Sequence, residues 1–282
     1  VSAAHDSIWA IDTTNWAIAQ RLRISMVGAT VTGVPGLGHD PIGHDAFCLL
    51  ATTAQPNASI LAIINVNSGV CTQVGTLNQV FATIAFRNDG QLLGVVADGQ
   101  PNAEKLYLID KTNGATTLAS VLGNGDDGEV LAFHHEDEQL YHWSGSNQRI
   151  MERLPGIAPF GPTINIPTNG ATSSRISAAV YIGGDKFLLG NSVNGLQYAD
   201  ANGFHQPSLT TLPFEPNGLI FAPHFALSDD FFCVFDTISW NFSGIALDTA
   251  VYDWGDGIVE SVFPAASASH AYSIPGNYVT TA

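Results

Sequence analysis

Three acidic side chains that lie close together in the chain, Asp126, Asp127 and Glu129, are the best candidates for binding a metal ion. They belong to a glycine-rich stretch, residues 124–129, that carries no Lys or Arg. Carboxylate oxygens are the ligands that Ca²⁺ prefers, so Ca²⁺ is the one cofactor that the sequence suggests. The spacing departs from the EF-hand pattern, and a solvated acidic turn accounts for the same residues.

Two His-Asp pairs, His39-Asp40 and His44-Asp45, form a second candidate site, for Zn²⁺ or another transition metal. Imidazole and carboxylate groups both bind such ions. The five-residue spacing matches no standard zinc motif, and two turns in which Asp side chains cap backbone N–H groups explain the pattern as well. The segment His134–Glu138, with two His and three acids, is expected to be an exposed hairpin tip, with a divalent cation site as the alternative.

Familiar catalytic motifs are absent from the sequence. It contains no G-x-S-x-G nucleophile elbow, no H-E-x-x-H zinc motif and no glycine-rich phosphate loop. No catalytic residue is therefore predicted. The many carboxylate and His side chains leave an enzymatic alternative open. In it the protein is a hydrolase or lyase whose metal ion lies in a central channel of the fold, such as the channel of the β-propeller predicted below.

The charge of the chain narrows the choice of partners. Nine Lys and Arg stand against 25 Asp and Glu, which gives a formal net charge of −16. A surface of this sign repels phosphate groups, so nucleic acid and anionic lipid are not expected as partners. No apolar run reaches the roughly 18 residues that a membrane-spanning helix needs, so no membrane span is expected.

Cysteine usage and the first residue bear on where the protein works. Three cysteines, Cys48, Cys71 and Cys233, are too few for a disulfide framework. One bridge between Cys48 and Cys71 and a pair of buried thiols are both open. The chain begins at Val1 instead of Met, which is expected if a signal segment has been removed. An extracellular or cell-surface location is therefore predicted.

A repeated strand pattern steps along most of the chain. Residues 81–122 show it best: two apolar runs around Asp89-Gly90, a loop, and two further runs around Asn113-Gly114. Both dipeptides supply the positive-φ residues that tight hairpins need. Four antiparallel strands joined in this way form one blade of a β-propeller.

Aromatic residues set the spacing of the repeat. Phe86, Phe133, Tyr181 and Phe221 each end a first strand, with separations of 47, 48 and 40 residues. Five blades are predicted, closed by N-terminal strands that pair through Ile8–Asp12 with the segment near Phe232. Six blades are the alternative, because Leu154–Thr172 is irregular and rich in Pro and Gly.

Phrases of the form A-F-x-x-D-G-x-L and L-Y-x-I-D-x-x-x-G recur within residues 1–236. In these phrases the segment resembles the YVTN-type propellers of bacterial and archaeal surface proteins. The resemblance implies an all-β propeller domain over residues 1–236 and a role outside the cell.

A different motif follows in residues 237–282. The chain reads W-G-D-G at Trp254–Gly257 and H-x-Y-x-x-P-G-x-Y at His270–Tyr278. The two halves resemble a PKD domain, an immunoglobulin-like β-sandwich of surface and secreted proteins. The matching residues are expected to be structural, with Trp254 in the core and Asp256-Gly257 in a tight turn. The full set is Trp254, Asp256, Gly257, His270, Tyr272, Pro275, Gly276 and Tyr278.

The PKD-like segment is about half the usual length of that family, so the resemblance implies that one or more final strands are expected beyond Thr281. Either the given chain stops before the natural terminus, or a strand from another molecule completes the sandwich. An unpaired strand edge is a template for β-strand addition. The second reading predicts self-assembly into filaments or lattices.

Together these features predict a secreted or cell-surface, non-enzymatic protein for adhesion, matrix contact or self-assembly. Its partners would be other copies of itself, surface proteins or glycans. Besides the channel-metal enzyme, the alternative is a carbohydrate-binding protein that uses exposed aromatic side chains such as Trp9, Trp16 or Trp143, although core packing also explains these residues.

Overall fold

In the computed structural model the chain is built from β-strands, and the described residues contain no helix. The all-β prediction is confirmed. Among these residues no helix is long and apolar enough to cross a membrane. The structure describes residues 2–13, 15–122, 130–144, 150–169, 174–193, 195–220, 224–227, 237–243, 249–262 and 267–271.

The chain divides into two compact units, Val1–Phe221 and Ala222–Ala282. The strands of the first unit are β1 (Ser2–Ala4), β2 (Ser7–Ile11), β3 (Ile18–Arg23), β4 (Ser25–Met26), β5 (Val31–His39), β6 (Ala46–Thr52), β7 (Gln55–Ile64), β8 (Val70–Thr76), β9 (Phe81–Phe86), β10 (Leu92–Val96), β11 (Lys105–Ile109), β12 (Thr116–Val121), β13 (Val130–His134), β14 (Gln139–Ser144), β15 (Ile150–Pro155), β16 (Ile164–Ile166), β17 (Ile176–Gly183), β18 (Lys186–Asn191), β19 (Gly195–Asp200), β20 (Thr210–Thr211) and β21 (Gly218–Leu219). The second unit contains β22 (His224–Leu227), β23 (Thr237–Ser243), β24 (Ala250–Asp253), β25 (Val259–Val262) and β26 (Ala268–Ala271).

Strands β1–β21 form a succession of antiparallel sheets. We number them sheet 1 (β21-β1-β2-β3), sheet 2 (β5-β6-β7-β8, with β4 added parallel to β8), sheet 3 (β9-β10-β11-β12), sheet 4 (β13-β14-β15-β16) and sheet 5 (β17-β18-β19-β20). The inner strands β5, β9, β13, β17 and β21 each contact the next, and β21 returns to β5. The sheets therefore form a propeller-like ring.

The ring closes where the N-terminus meets the last inner strand. Ser2–Ala4 pairs with Gly218–Leu219, and Ser7–Ile11 pairs with Ser2–Ala4 on one side and Ile18–Arg23 on the other. The expectation that N-terminal strands complete the last sheet is met. The expected pairing of Ile8–Asp12 with the segment near Phe232 is wrong, because both edges of β2 are already occupied; Phe232 itself lies outside the described residues.

Apolar side chains from neighbouring sheets form the core between them. Four clusters of buried residues lie between successive sheets, and Trp143, Phe81 and Phe187 are among the largest fully buried side chains. The aromatic residues that set the repeat, Phe86, Phe133 and Tyr181, are buried, and Phe221 lies outside the described residues. Because the sheets close into a ring and pack against each other, few unpaired strand edges remain exposed as sites for aggregation.

The irregular stretch that left a sixth blade open contributes a strand to an existing sheet. Within Leu154–Thr172 the structure places Ile164–Ile166, which pairs with β15 as the outer strand of sheet 4. Residues 170–173 are not among those described.

Several polar side chains are buried in this mainly apolar interior, among them His142, Glu152 and His205. The His142 and Glu152 side chains, 1% and 0% exposed, meet across β14 and β15, with 3.0 Å between His142 Nδ1 and Glu152 Oε1. His205, 2% exposed, is bridged to Ala199 of sheet 5, and neither of its ring nitrogens has a hydrogen-bond partner in the described structure.

The two described cysteines are buried thiols, Cys48 on β6 and Cys71 on β8, with 3.7 Å between their sulfurs. Strand β7 lies between them, and neighbouring strands are about 4.8 Å apart. Two strand spacings exceed the roughly 7 Å between Cα atoms that a disulfide allows, so a bridge would require movement of the backbone. The hydrogen bond with Cys71, together with burial, raises the pKa of the Cys48 thiol. Cys233 lies outside the described residues.

The second unit contains a three-stranded sheet, β22-β23-β26, and a hairpin, β24-β25. His224–Leu227, which the sequence assigned to the propeller domain of residues 1–236, pairs with Thr237–Ser243 in this unit. The N-terminal strand β1 already occupies the edge of β21, so the later segment is free to pair elsewhere.

The W-G-D-G segment forms the turn of the hairpin. Trp254 is fully buried, Gly257 has a φ of 93°, and the Ile258 N–H donates to Asp256 Oδ1 at 3.1 Å. His270 Nε2 lies 2.8 Å from Asp256 Oδ2, and the His270 ring stacks on Trp254 with 5.2 Å between centroids. The positions Tyr272, Pro275, Gly276 and Tyr278 of the PKD-like motif lie outside the described residues.

Candidate functional site

The turns between first and second strands of sheets 2 to 5 share one backbone feature. Each contains a residue with positive φ, namely His44 (59°), Gly90 (76°), Glu138 (56°) and Asp185 (57°). Such a residue closes a short hairpin loop, and glycine adopts the conformation with least strain. We call these turns, residues 40–45, 87–91, 135–138 and 184–185, the first-turn rim.

An ion pair joins the sheet 2 part of the rim to sheet 3. The Lys111 ammonium contacts the Asp40 carboxylate, whose side chain is only 3% exposed. Asp40 Oδ1 also accepts the Ile42 N–H at 3.0 Å. Desolvation acts to raise the pKa of Asp40, but the hydrogen bonds from Lys111 and from the turn hold it below its usual value.

An amide joins sheet 3 to sheet 4. Asn88 Nδ2 donates to the His135 carbonyl oxygen at 2.8 Å, and Asn88 Oδ1 contacts His135 Nδ1. Desolvation and the neighbouring His134 and His39 rings lower the pKa of His135. The neutral imidazole is therefore favoured at the rim.

A buried histidine joins sheet 4 to sheet 5. The His134 side chain, 1% exposed, has Nε2 at 3.1 Å from Asp185 Oδ1, and its Nδ1 accepts the Asp137 N–H at 3.2 Å. Asp137 Oδ1 also lies 3.1 Å from His134 Nδ1. Tyr141 donates its hydroxyl to Asp137 Oδ2 at 2.9 Å; desolvation, with that carboxylate, raises the pKa of Tyr141 to about 12.

A further contact strengthens the same junction. The Gly184 N–H donates to Glu136 Oε1 at 3.3 Å. Three successive junctions, from sheet 2 to sheet 5, thus carry polar contacts between different sheets. The exposed carboxylates of the rim, including Asp45, Asp89 and Glu138, are held on turns that these contacts fix.

The rim contains the His-Asp pairs that the sequence singled out. His39 and His44 lie with 6.4 Å between ring centroids, and desolvation, followed by the charge of His44, lowers the pKa of His39. Asp40 caps its own turn and binds Lys111. In the part of the chain that the structure describes, no three His, Cys, Asp or Glu side chains converge as ligands for a metal ion. Asp126, Asp127 and Glu129 lie outside it.

Two of the tryptophans considered for sugar binding offer no free ring face. Trp143 is buried in the core. Trp9 stacks on Phe214 with 4.4 Å between centroids, and Arg21 lies over its ring at 4.8 Å.

Sequence reasoning missed three residues that make the contacts between sheets, namely Lys111, Asn88 and Asp185. Asn88 precedes the Asp-Gly turn of sheet 3 and Lys111 follows the Asp of a second turn, so each stood within a recognised hairpin. Aligning the turns of successive repeats would have placed Asn88 beside His135. Nothing local would have paired Lys111 with Asp40, 71 residues away.

Comparison with known proteins supports the fold. No family model and no curated protein matches the chain. A chain from a nidogen/laminin complex is similar with a TM-score of 0.53 and 10% identity, over 93% of this chain and 88% of that one. Hydrazine synthase from Kuenenia stuttgartiensis gives 0.44 and 12%, over 74% of this chain, which spans 62% of its length. The chain from the nidogen/laminin complex is a β-propeller protein, in agreement with the ring of sheets.

Proposed function

We propose that this chain is a secreted or cell-surface, non-enzymatic protein that makes adhesive contacts to matrix or surface proteins through the first-turn rim. In this proposal residues 1–221 are a five-bladed propeller of the YVTN type. The C-terminal unit is a PKD-like sandwich that carries the propeller at the cell surface.

The observation that carries the proposal is the set of polar contacts that join the turns of different sheets. Lys111 with Asp40, Asn88 with His135, and His134 with Asp185 fix the turns before any partner arrives. A surface that is already ordered loses little conformational entropy on binding, which favours affinity.

Charge gives the chemistry of the partner. The chain carries a formal net charge of −16, and exposed carboxylates stand on the rim. A basic partner surface would be drawn to it and oriented by it. The chain is also similar in fold to one from a complex of nidogen with laminin.

Self-assembly is the second form of the proposal. Among the described residues, His224–Leu227 and Ala268–Ala271 each pair along one edge only, with β23 between them. A strand from another copy could add to such an edge. Sedimentation velocity across a hundredfold range of concentration tests this: larger species at high concentration support it, and a monomer throughout contradicts it.

Adhesion through the rim is tested with beads that carry the protein and are washed over a surface of extracellular matrix extract. The variant Asp45→Lys/Glu138→Lys reverses two exposed rim carboxylates that make no described side-chain hydrogen bond. We expect several-fold lower retention, because rim charge governs encounter with a basic partner.

The control variant is Asp98→Lys/Glu260→Lys, which makes the same change in net charge at exposed residues that do not belong to the rim. Retention close to that of the unchanged protein is expected. If both variants lose retention equally, or neither does, the rim is not the contact surface.

A further inference from the structure

A second kind of turn is repeated in sheets 1, 2 and 3, between the third and fourth strands. In each, the first residue donates its N–H to the carbonyl just after the turn and accepts the N–H of the fifth residue. The turns are Asp12–Trp16 (2.9 and 2.7 Å), Asn65–Gly69 (2.9 and 2.8 Å) and Asp110–Gly114 (2.8 and 2.8 Å). The fifth residue has positive φ in all three: 61° at Trp16, 74° at Gly69 and 79° at Gly114.

Trp16 therefore stands at a position where the equivalent turns have glycine. A side chain in the left-handed region clashes with its own backbone, and the cost is greatest for bulky residues. A strained residue that a fold retains is a reason to look for a function.

The neighbouring sheets explain why a large side chain fits here. A Cβ at Gly69 would clash with the Arg23 carbonyl oxygen, and one at Gly114 would come within 3.3 Å of Gly75. Both glycines thus lie against the outer strands of the preceding sheets. Sheet 1 follows sheet 5 in the ring, and the outer strand of sheet 5 is only two residues, Thr210–Thr211. The space that this leaves explains how Trp16 is accommodated, but not why the strain is retained.

The surroundings of Trp16 differ from those of Trp9 in the same sheet. Both faces of the Trp9 ring are covered, one by Phe214 and the other by Arg21. In the described structure Trp16 has one aromatic neighbour, Tyr198 of sheet 5, at 5.9 Å between centroids and 68° between ring planes. At such an angle at least one indole face has no ring stacked on it. The side chains of Trp16 and Tyr198 are both partly exposed.

Two aspartates belong to the segments that carry this aromatic pair. Asp12 begins the turn that holds Trp16. Asp200 lies two residues beyond Tyr198 on β19, so it shares the Tyr198 face of the strand. Its Oδ1 accepts the N–H groups of Asn202 and Phe204. An aromatic face beside carboxylates attracts a cation, and Arg21 over Trp9 shows that sheet 1 already uses this contact once.

We propose that Trp16 and Tyr198 form a binding site for an arginine or lysine side chain of a partner protein. The proposal rests on the adhesive function proposed above and names one contact of it. An excess of 25 acidic over nine basic residues favours a cationic occupant over an anionic one. Trp and Tyr are also the residues that most often dominate the energy of protein interfaces.

The test uses a tetra-arginine peptide as the probe, with a tetra-glutamate peptide as the negative control, and measures binding by calorimetry. We expect Trp16→Gly to weaken binding of the arginine peptide about fivefold, the range of a partly exposed cation–π contact. The same variant should unfold at a higher temperature, because glycine relieves the strain at this position.

Trp9→Phe is the matched control and should bind the arginine peptide like the unchanged protein. Tyr198→Ala is a second variant, at a position with ordinary backbone geometry, and should also weaken binding. If Trp16→Gly unfolds at a lower temperature and binds the peptide unchanged, Trp16 serves only to pack the junction of sheets 1 and 5, and the proposal is overturned.

The bead assay separates this inference from the function it rests on. If the rim variant loses retention and Trp16→Gly binds the peptide normally, the adhesive function stands and the cation site fails. If Trp16→Gly loses the peptide while the unchanged protein shows no retention on matrix, the cation site stands and the adhesive function fails.

Discussion

Two histidine–carboxylate contacts in sheet 4 show how differently the interior and the first-turn rim use polar groups. In the interior, His142 and Glu152 join two strands of one sheet, and both side chains are excluded from water. At the rim, His134 reaches from sheet 4 to Asp185 of sheet 5, whose carboxylate is mostly exposed. The first contact joins two strands of one sheet, whereas the second joins two neighbouring sheets of the ring.

The difference follows from what can replace each partner. Water can solvate Asp185 if His134 is lost, so a rim contact costs little to break. No solvent reaches Glu152, so removal of His142 would take away a buried polar contact that water cannot replace. The buried pair within sheet 4 is therefore expected to matter more for stability than the contact between sheets at the rim.

The largest expected effect comes from breaking the interior pair. Glu152→Ala should lower the free energy of unfolding by about 3–5 kcal/mol, because it leaves the buried His142 without its carboxylate. Urea denaturation measures the loss. The double variant His142→Leu/Glu152→Met removes both polar groups and should recover most of the stability. A loss below 1 kcal/mol in Glu152→Ala would show that water reaches the pair.

Low pH should lower the stability of the protein through a second interior group, His205. Desolvation lowers the pKa of His205 to about 4, from an unfolded value near 6.5. The unfolded chain then binds the proton more readily, so the stability contributed by neutral His205 is complete above pH 6.5 and is lost as the pH falls towards 4. The loss should be about 3 kcal/mol. Replacement with Leu should flatten the fall in unfolding temperature between pH 6.5 and 4, and an unchanged slope would contradict it.

Breaking one contact at the rim should have a smaller effect. Asn88→Ala removes the hydrogen bond to the His135 carbonyl and should cost about 1 kcal/mol in the free energy of unfolding. Asn202→Ala, at an exposed turn amide whose side chain makes no described hydrogen bond, is the matched control and should cost less. Equal losses in the two variants would mean that the Asn88 contact between sheets adds nothing.

The smallest expected effect is a gain in the free energy of unfolding. Glu138 has a φ of 56° at the position that Gly90 occupies in the preceding sheet. Glu138→Gly should raise stability by about 0.5 kcal/mol, since relief of strain outweighs the entropy of glycine in the unfolded chain. Glu138→Ala removes the carboxylate but keeps the strain, and should give no gain. A gain in both variants would point to charge repulsion instead.

Local signals in the sequence predicted the strands and turns of the ring. Alternating apolar runs and the Asp89-Gly90 and Asn113-Gly114 dipeptides each act over a few residues, and these hairpins form as expected. The aromatic ends of the first strands, such as Phe86 and Phe133, are likewise buried because the repeat sets their place.

Long-range pairing was the part that the sequence could not predict. The closing strand Gly218–Leu219 is only two residues long and carries little apolar pattern, so a longer apolar run near Phe232 looked like the better partner. The contacts of Lys111 and Asp185 also depend on which turns the ring brings together. Sequence periodicity does not predict which residue of another sheet a side chain at the tip of a hairpin will contact.

The pairing of Ser2–Ala4 with Gly218–Leu219 closes the ring, and hydrogen exchange measures that closure most directly. We expect the backbone amides of Ser2–Ala4 and Gly218–Leu219 to exchange as slowly as those of Phe81–Phe86 in sheet 3, because all three lie in hydrogen-bonded strands. Exchange of the Ser2–Ala4 amides at the rate of an unstructured peptide, with Phe81–Phe86 protected, would show that the ring is not closed by the N-terminus.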